Sequence, residues 1–140
     1  MSKTESFRAQ HKEIGELVLR VEKDLSPDKL RAPGKAEEVR STLSSLAGKL
    51  AIHLAMEDKS LYPQMLSSNN DEAKKMADSY AKEMGTLAGA FKDYVTKWGN
   101  AGIIRDDAEA FCAQTKEVFT LLKKRVEREE AHLYPLRDIV

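Results

Sequence analysis

The chain has 140 residues, and its 23 acidic side chains balance its 23 basic ones. That length fits a single domain spanning 1–140, long enough to bury one core. Zero net charge with 33% charged residues describes solvated helix faces and argues against a nucleic-acid-binding or polybasic membrane surface.

In chain order, breakers cut the sequence into four long helical segments. Ser26-Pro27 and Ala32-Pro33-Gly34 end the first, Ser67-Ser68-Asn69-Asn70 separates the second from the third, and Trp98-Gly99-Asn100-Ala101-Gly102 closes the third. Helices are expected at about 4–25, 35–66, 71–98 and 105–137, with Asn70-Asp71 and Asp106-Asp107 offering caps and negative charge to helix N-termini. No run of alternating apolar residues asks for a strand. Short connections between four helices predict an all-α, up-down-up-down antiparallel four-helix bundle, a fold that builds metal and cofactor sites in its core. With no apolar N-terminal run there is no signal peptide or membrane span to expect. The lone Cys112 cannot pair within the chain, so a reducing cytoplasm is the default and an inert, half-buried thiol the expectation.

Spacings of four and three define the buried stripe of each helix. Phe7, Ile14, Val18, Val21 and Leu25 set the first, and His11 fills its gap. Val39, Leu43, Leu46, Leu50 and Leu61 set the second, which passes through His53 and Glu57. The third runs Met76, Tyr80, Leu87, Ala90 and Tyr94 through Glu83, and the fourth runs Phe111, Val118, Leu122 and Leu136 through Thr115, Arg125, Glu129 and His132. All three histidines of the chain thus fall on core positions together with three glutamates. Unpaired buried carboxylates cost several kcal/mol. Arg125 returns only one positive charge, so one or two divalent ions are the natural complement.

A repeat gives these residues an order. Glu57-Asp58-Lys59-Ser60-Leu61-Tyr62-Pro63 recurs as Glu129-Glu130-Ala131-His132-Leu133-Tyr134-Pro135, displaced by 72 residues. The same shift carries His11 onto Glu83 and His53 onto Arg125, so two helical hairpins face each other as half-sites across a pseudo-twofold. His53 and Glu57 stand one helical turn apart and can close on one ion. With His11 they form a two-histidine, one-carboxylate set of the kind non-haem iron uses. Glu83, Glu129 and His132 offer the opposite half, with Glu129 and His132 spaced as in the Glu-x-x-His pairs of di-iron bundles. Tyr62 and Tyr134 are packing residues whose phenols can hydrogen-bond a ligand carboxylate or a bound oxygen species. Pro63 and Pro135 free a carbonyl in the preceding turn and bend the chain. Asp58 and Glu130, one position off the stripe, should face solvent.

His11 in a Phe-x-x-x-His context, His53-x-x-x-Glu57-Asp58 leading into Leu-Tyr-Pro, and the second acidic pair before Leu-Tyr-Pro resemble the hemerythrin-like, or HHE cation-binding, proteins of bacteria. The resemblance covers nearly the whole chain. It implies a non-haem di-iron centre bridged by two carboxylates and an oxygen, with His11, His53, Glu57 and Glu129 on ligand positions. It also implies a small partner such as dioxygen, nitric oxide or peroxide. The chain departs from the family where histidines are usual, at Glu83 and Arg125. Arginine does not ligate. Glu83 could replace a nitrogen donor by an oxygen, and His132 could supply nitrogen from the other side of Glu129. Such a carboxylate-rich site favours sensing, peroxide chemistry or ion storage over reversible dioxygen carriage. Two other forms stay open: a single ion at His11, His53 and Glu57 with the Arg125 charge where a second would stand, or a signalling or interaction bundle with a metal-free polar core in which Arg125 pairs with Glu83 and Glu129.

Overall fold

A computed structural model describes residues 2–140. The fold is all-α, with no strand among the described residues. The first long run is α1 (Glu5–Lys23), and the second is α3 (Lys35–Met56) continuing through a π-helical turn (Glu57–Leu61) into α4 (Tyr62–Leu66). The third is α5 (Asp71–Lys97). The fourth is α7 (Ala108–Arg128), a second π-helical turn (Glu129–Leu133) and α8 (Tyr134–Ile139). Two short helices absent from the sequence expectation, α2 (Pro27–Arg31) and α6 (Ala101–Asp106), occupy the connections. Each is started by a side-chain cap: Ser26 Oγ accepts from the Lys29 N–H at 3.3 Å, and Asn100 Oδ1 from the Ile103 N–H at 2.9 Å. Asn70 caps α5 as expected, accepting from the Ala73 N–H at 3.0 Å, whereas Asp107 makes no side-chain cap.

The π turns follow from the repeated prolines. Pro63 and Pro135 have no N–H to return to the carbonyl four residues back. The Tyr62 and Tyr134 N–H groups instead reach five back, to the Glu57 and Glu129 carbonyls. Each turn therefore holds one residue more than an α-turn, and everything beyond it rotates by that residue. The two distortions sit 72 residues apart, so the sequence repeat is a repeat of backbone shape as well.

Packing divides the core into two apolar clusters. The larger contains Ile14 to Val21 of α1, Val39 to Leu50 of α3, Phe91 and Tyr94 of α5, and Phe111 to Leu122 of α7. The smaller contains Phe7, Leu61, Tyr62, Met65, Ala73, Ala77, Tyr80, Leu133, Tyr134 and Leu136. Between them in sequence, on three of the four long runs, lie the buried polar residues His11, His53, Glu57, Arg125 and Glu129. A polar layer is thus sealed on both sides by apolar ones. Among the described residues no helix is long and apolar enough to cross a membrane.

Candidate metal centre

His11 is brought in by α1, His53 by the last turn of α3, Glu57 by the first π turn and Glu129 by the second; each is at least 94% buried, Glu57 completely. Their donor atoms converge. His11 Nε2 lies 3.1 Å from His53 Nε2 and 2.8 Å from Glu129 Oε1, which in turn lies 3.5 Å from His53 Nε2. Glu57 Oε2 stands 3.5 Å from His53 Nε2.

The outer ring nitrogens determine what the inner ones carry. His11 Nδ1 lies 3.0 Å from Glu130 Oε1, and His53 Nδ1 lies 2.7 Å from Gln10 Oε1. Both partners are acceptors, so each Nδ1 holds a hydrogen; without an ion an Nε2–H can donate to Glu129 Oε1, and with one the Nε2 lone pair faces inward as a ligand. Arg8 steadies the first contact, reaching the other oxygen of Glu130 at 2.5 Å. Carboxylate or amide oxygens holding histidines this way are the usual supports of metal-binding imidazoles. Neither Gln10 nor Glu130 was expected in this role. Glu130 was expected to face solvent and is instead half-buried against His11, within reach because its long side chain bends back from beside the stripe.

Inward lone pairs and carboxylates must be settled by protons or by a cation. Burial, and then the charge of Glu129, push the Glu57 carboxyl up to about 10. Glu129 is equally buried, yet its contacts with His11 and His53 hold it below the ordinary carboxylate range. The pair thus shares one proton, on Glu57. Burial lowers the His53 pKa, favouring the neutral ring that a metal requires. Glu57 Oε1 is buried and finds no hydrogen-bond partner among the described residues. Donors about 2.1 Å from one ion stand about 3.0–3.4 Å apart at octahedral to tetrahedral angles. The spacings among His11, His53 and Glu129, 2.8, 3.1 and 3.5 Å, bracket that range. Chemistry and spacing both fit a bound cation.

The other half is built differently. Arg125, 5% exposed, bonds Glu129 Oε2 at 3.2 Å, the Tyr62 hydroxyl at 2.8 Å and the Tyr80 carbonyl at 2.9 Å. Its guanidinium also lies over the Tyr80 ring, 4.4 Å from the centroid.

The structure does not bring Glu83 or His132 into the cluster. Past Tyr80, α5 buries Met84 rather than Glu83, and Glu83 lies exposed against Arg128 at 2.6 Å and Arg125 at 3.4 Å. His132 is exposed, because the π turn places Leu133 and Tyr134 inward where an α-turn would have presented residue 132. Tyr134 takes the inward place, with its hydroxyl 2.9 Å from Glu57 Oε2. Asp58 faces solvent as expected. Cys112 is buried and burial raises its thiol pKa, in keeping with an unreactive group.

An all-helical fold with imidazoles and carboxylates gathered between two apolar core layers defines a metal-binding helical domain. The model of the hemerythrin HHE cation-binding domain matches residues 2–136, and the chain belongs to that family. No curated protein and no solved structure gives a significant match to it.

Proposed function

We propose that this chain is a non-haem iron domain that takes one ion between His11, His53 and Glu129 and presents it to a small ligand such as dioxygen, nitric oxide or peroxide. The carrying observation is the convergence of two inward imidazole nitrogens and a carboxylate oxygen at 2.8–3.5 Å. Iron bound there would supply a Lewis-acidic, redox-active centre. The chain's own residues do the rest. Gln10 and Glu130 hold the rings in the ligating tautomer, and Glu57 holds a proton beside the site, with Oε1 free to serve a ligand atom. Phe7, Leu61 and Leu133 on one side and Ile14 and Leu50 on the other exclude water.

The family's second ion has no donor set in this reading. Glu83 is engaged outside by Arg128, His132 points to solvent, and Arg125 supplies the positive charge next to Glu129. An up-down-up-down order of the four long runs belongs to the proposal, supported by the packing of α1 on α3, α4 on α5 and α5 on α7. A reducing, cytoplasmic setting suits the unpaired, buried Cys112.

The test is elemental analysis of anaerobically purified protein, followed by spectra on exposure to dioxygen, nitric oxide and peroxide. One iron per chain and a spectral response to at least one ligand are expected. The arginine network around Glu129 favours a second reading, an interaction bundle with a metal-free polar core. Negligible metal, with folding unaffected by chelator, would select that reading instead.

A further inference from the structure

The Tyr134 hydroxyl oxygen lies 3.1 Å from His11 Nε2, 3.4 Å from His53 Nε2 and 3.2 Å from Glu129 Oε1. Those three atoms are themselves 3.1, 2.8 and 3.5 Å apart. Four atoms from four side chains thus form a closed tetrahedron, with every edge between 2.8 and 3.5 Å. Ligands about 2.0 Å from one ion at tetrahedral angles stand about 3.3 Å apart. The centre of this tetrahedron therefore lies at ligand distance from all four atoms.

A fourth neighbour crowds the hydroxyl, which donates to Glu57 Oε2 at 2.9 Å. Its oxygen then has two imidazole nitrogens and Glu129 Oε1 packed against it, an arrangement a cation relieves.

We propose that Tyr134 is a metal ligand whose phenolate oxygen completes a two-nitrogen, two-oxygen site with His11, His53 and Glu129. This rests on the iron-binding reading above and adds a ligand to it. On binding, the O–H bond of Tyr134 breaks, its electron pair stays on the oxygen to bond the ion, and its proton passes to Glu57 Oε2 as the proton Glu57 already holds leaves from Oε1 to solvent. Two negative ligands and two imidazoles make a hard site that favours ferric over ferrous iron. The partner motif contains its own control. Tyr62 occupies the same place after the first π turn, yet its hydroxyl accepts from Arg125 at 2.8 Å.

The test loads the full chain anaerobically with ferrous iron, oxidises it in air, and records the visible and resonance Raman spectra at measured iron content. The expected result is a visible phenolate-to-iron charge-transfer band with enhanced tyrosine ring modes. Tyr134→Phe should lose the band, and Tyr62→Phe should keep it. A zinc titration gives a second readout: a near-ultraviolet tyrosinate difference signal in the wild type, absent in Tyr134→Phe, whose zinc affinity falls about 10-fold or more. The wild-type band decides the matter even if Tyr134→Phe fails to fold. Ferric protein at one ion per chain without the band overturns the ligand assignment alone, as does a band that survives in Tyr134→Phe. A wild type that takes up neither iron nor zinc overturns the iron-binding reading, and this assignment with it.

Discussion

After the second π turn, Tyr134 points its hydroxyl at two imidazoles; after the first, Tyr62 points its own at a guanidinium. The backbone event is the same in both places, a proline that displaces one hydrogen bond and adds a residue to a turn. One residue that meets each tyrosine is also related by the repeat, His53 with Arg125, whereas the counterpart of His11 is Glu83, which lies outside against Arg128. What differs is where the positive charge comes from. One half carries it covalently, as Arg125 between Glu129, Tyr62 and Tyr80. The other gathers lone pairs and leaves the charge to be recruited. In the proposed one-ion reading, the repeated bends are kept in both halves while only one half gathers metal donors.

The largest expected effect tests the recruiting half. His11→Ala and His53→Ala each remove one of two nitrogen donors and should abolish iron binding, read as metal content after desalting. Retention of iron by both variants would place the ion elsewhere.

The arginine half should respond in stability first. Arg125→Leu leaves Glu129 buried beside a hydrocarbon, and the metal-free protein should lose about 3–5 kcal/mol in denaturant unfolding. A loss below about 1 kcal/mol would mean that Arg125 is not what balances Glu129. Arg125→His tests how far this half has diverged, since an imidazole there restores a donor next to Glu129. Metal content should rise above one ion per chain, and no rise would count against that position as a place for a second ion.

A pH dependence separates the two halves in the absence of metal. Glu57 keeps its proton up to about 10 in the folded chain, whereas an ordinary glutamate releases it near 4.5. Between those values the folded state holds a proton that the unfolded state has lost, so stability falls as pH rises, by at most about 1.4 kcal/mol per unit for one proton. Thermal unfolding in chelator from about pH 5 to about pH 9 should show the decline, and Glu57→Gln should flatten it. Equal slopes in both proteins would remove Glu57 as the cause.

Much of this site was legible in the stripes. His11, His53, Glu57, Arg125 and Glu129 occupy core positions by spacing alone and are buried in the structure. The π turns were not legible, because Pro63 and Pro135 announce a disturbed turn without saying that it gains a residue. That single residue turns His132 outward and brings Tyr134 in. Glu83 was misplaced for another reason. Glu83 and Met84 both stand at helical spacing from Tyr80 and Leu87, and the expected stripe runs through the glutamate where burial favours the apolar side chain. Gln10 and Glu130 escaped notice because they lie beside the stripe and reach the ring nitrogens with long side chains.

Glu83 gives the smallest effect and the cleanest separation between the sequence expectation and the structure. As a metal ligand its loss would empty a site. As an exposed partner of Arg128 it should contribute no more than about 1 kcal/mol, because solvent screens such pairs. Its hydrogen bond with Arg128 holds its carboxyl below the ordinary value. The small stabilisation is therefore present above the unfolded-state pKa and is lost as pH falls through the folded one. Glu83→Gln should leave iron content unchanged and lower stability slightly at neutral pH, with the difference from wild type vanishing in acid. A loss of iron in this variant would return Glu83 to the metal and show that the arginine half still takes part in binding.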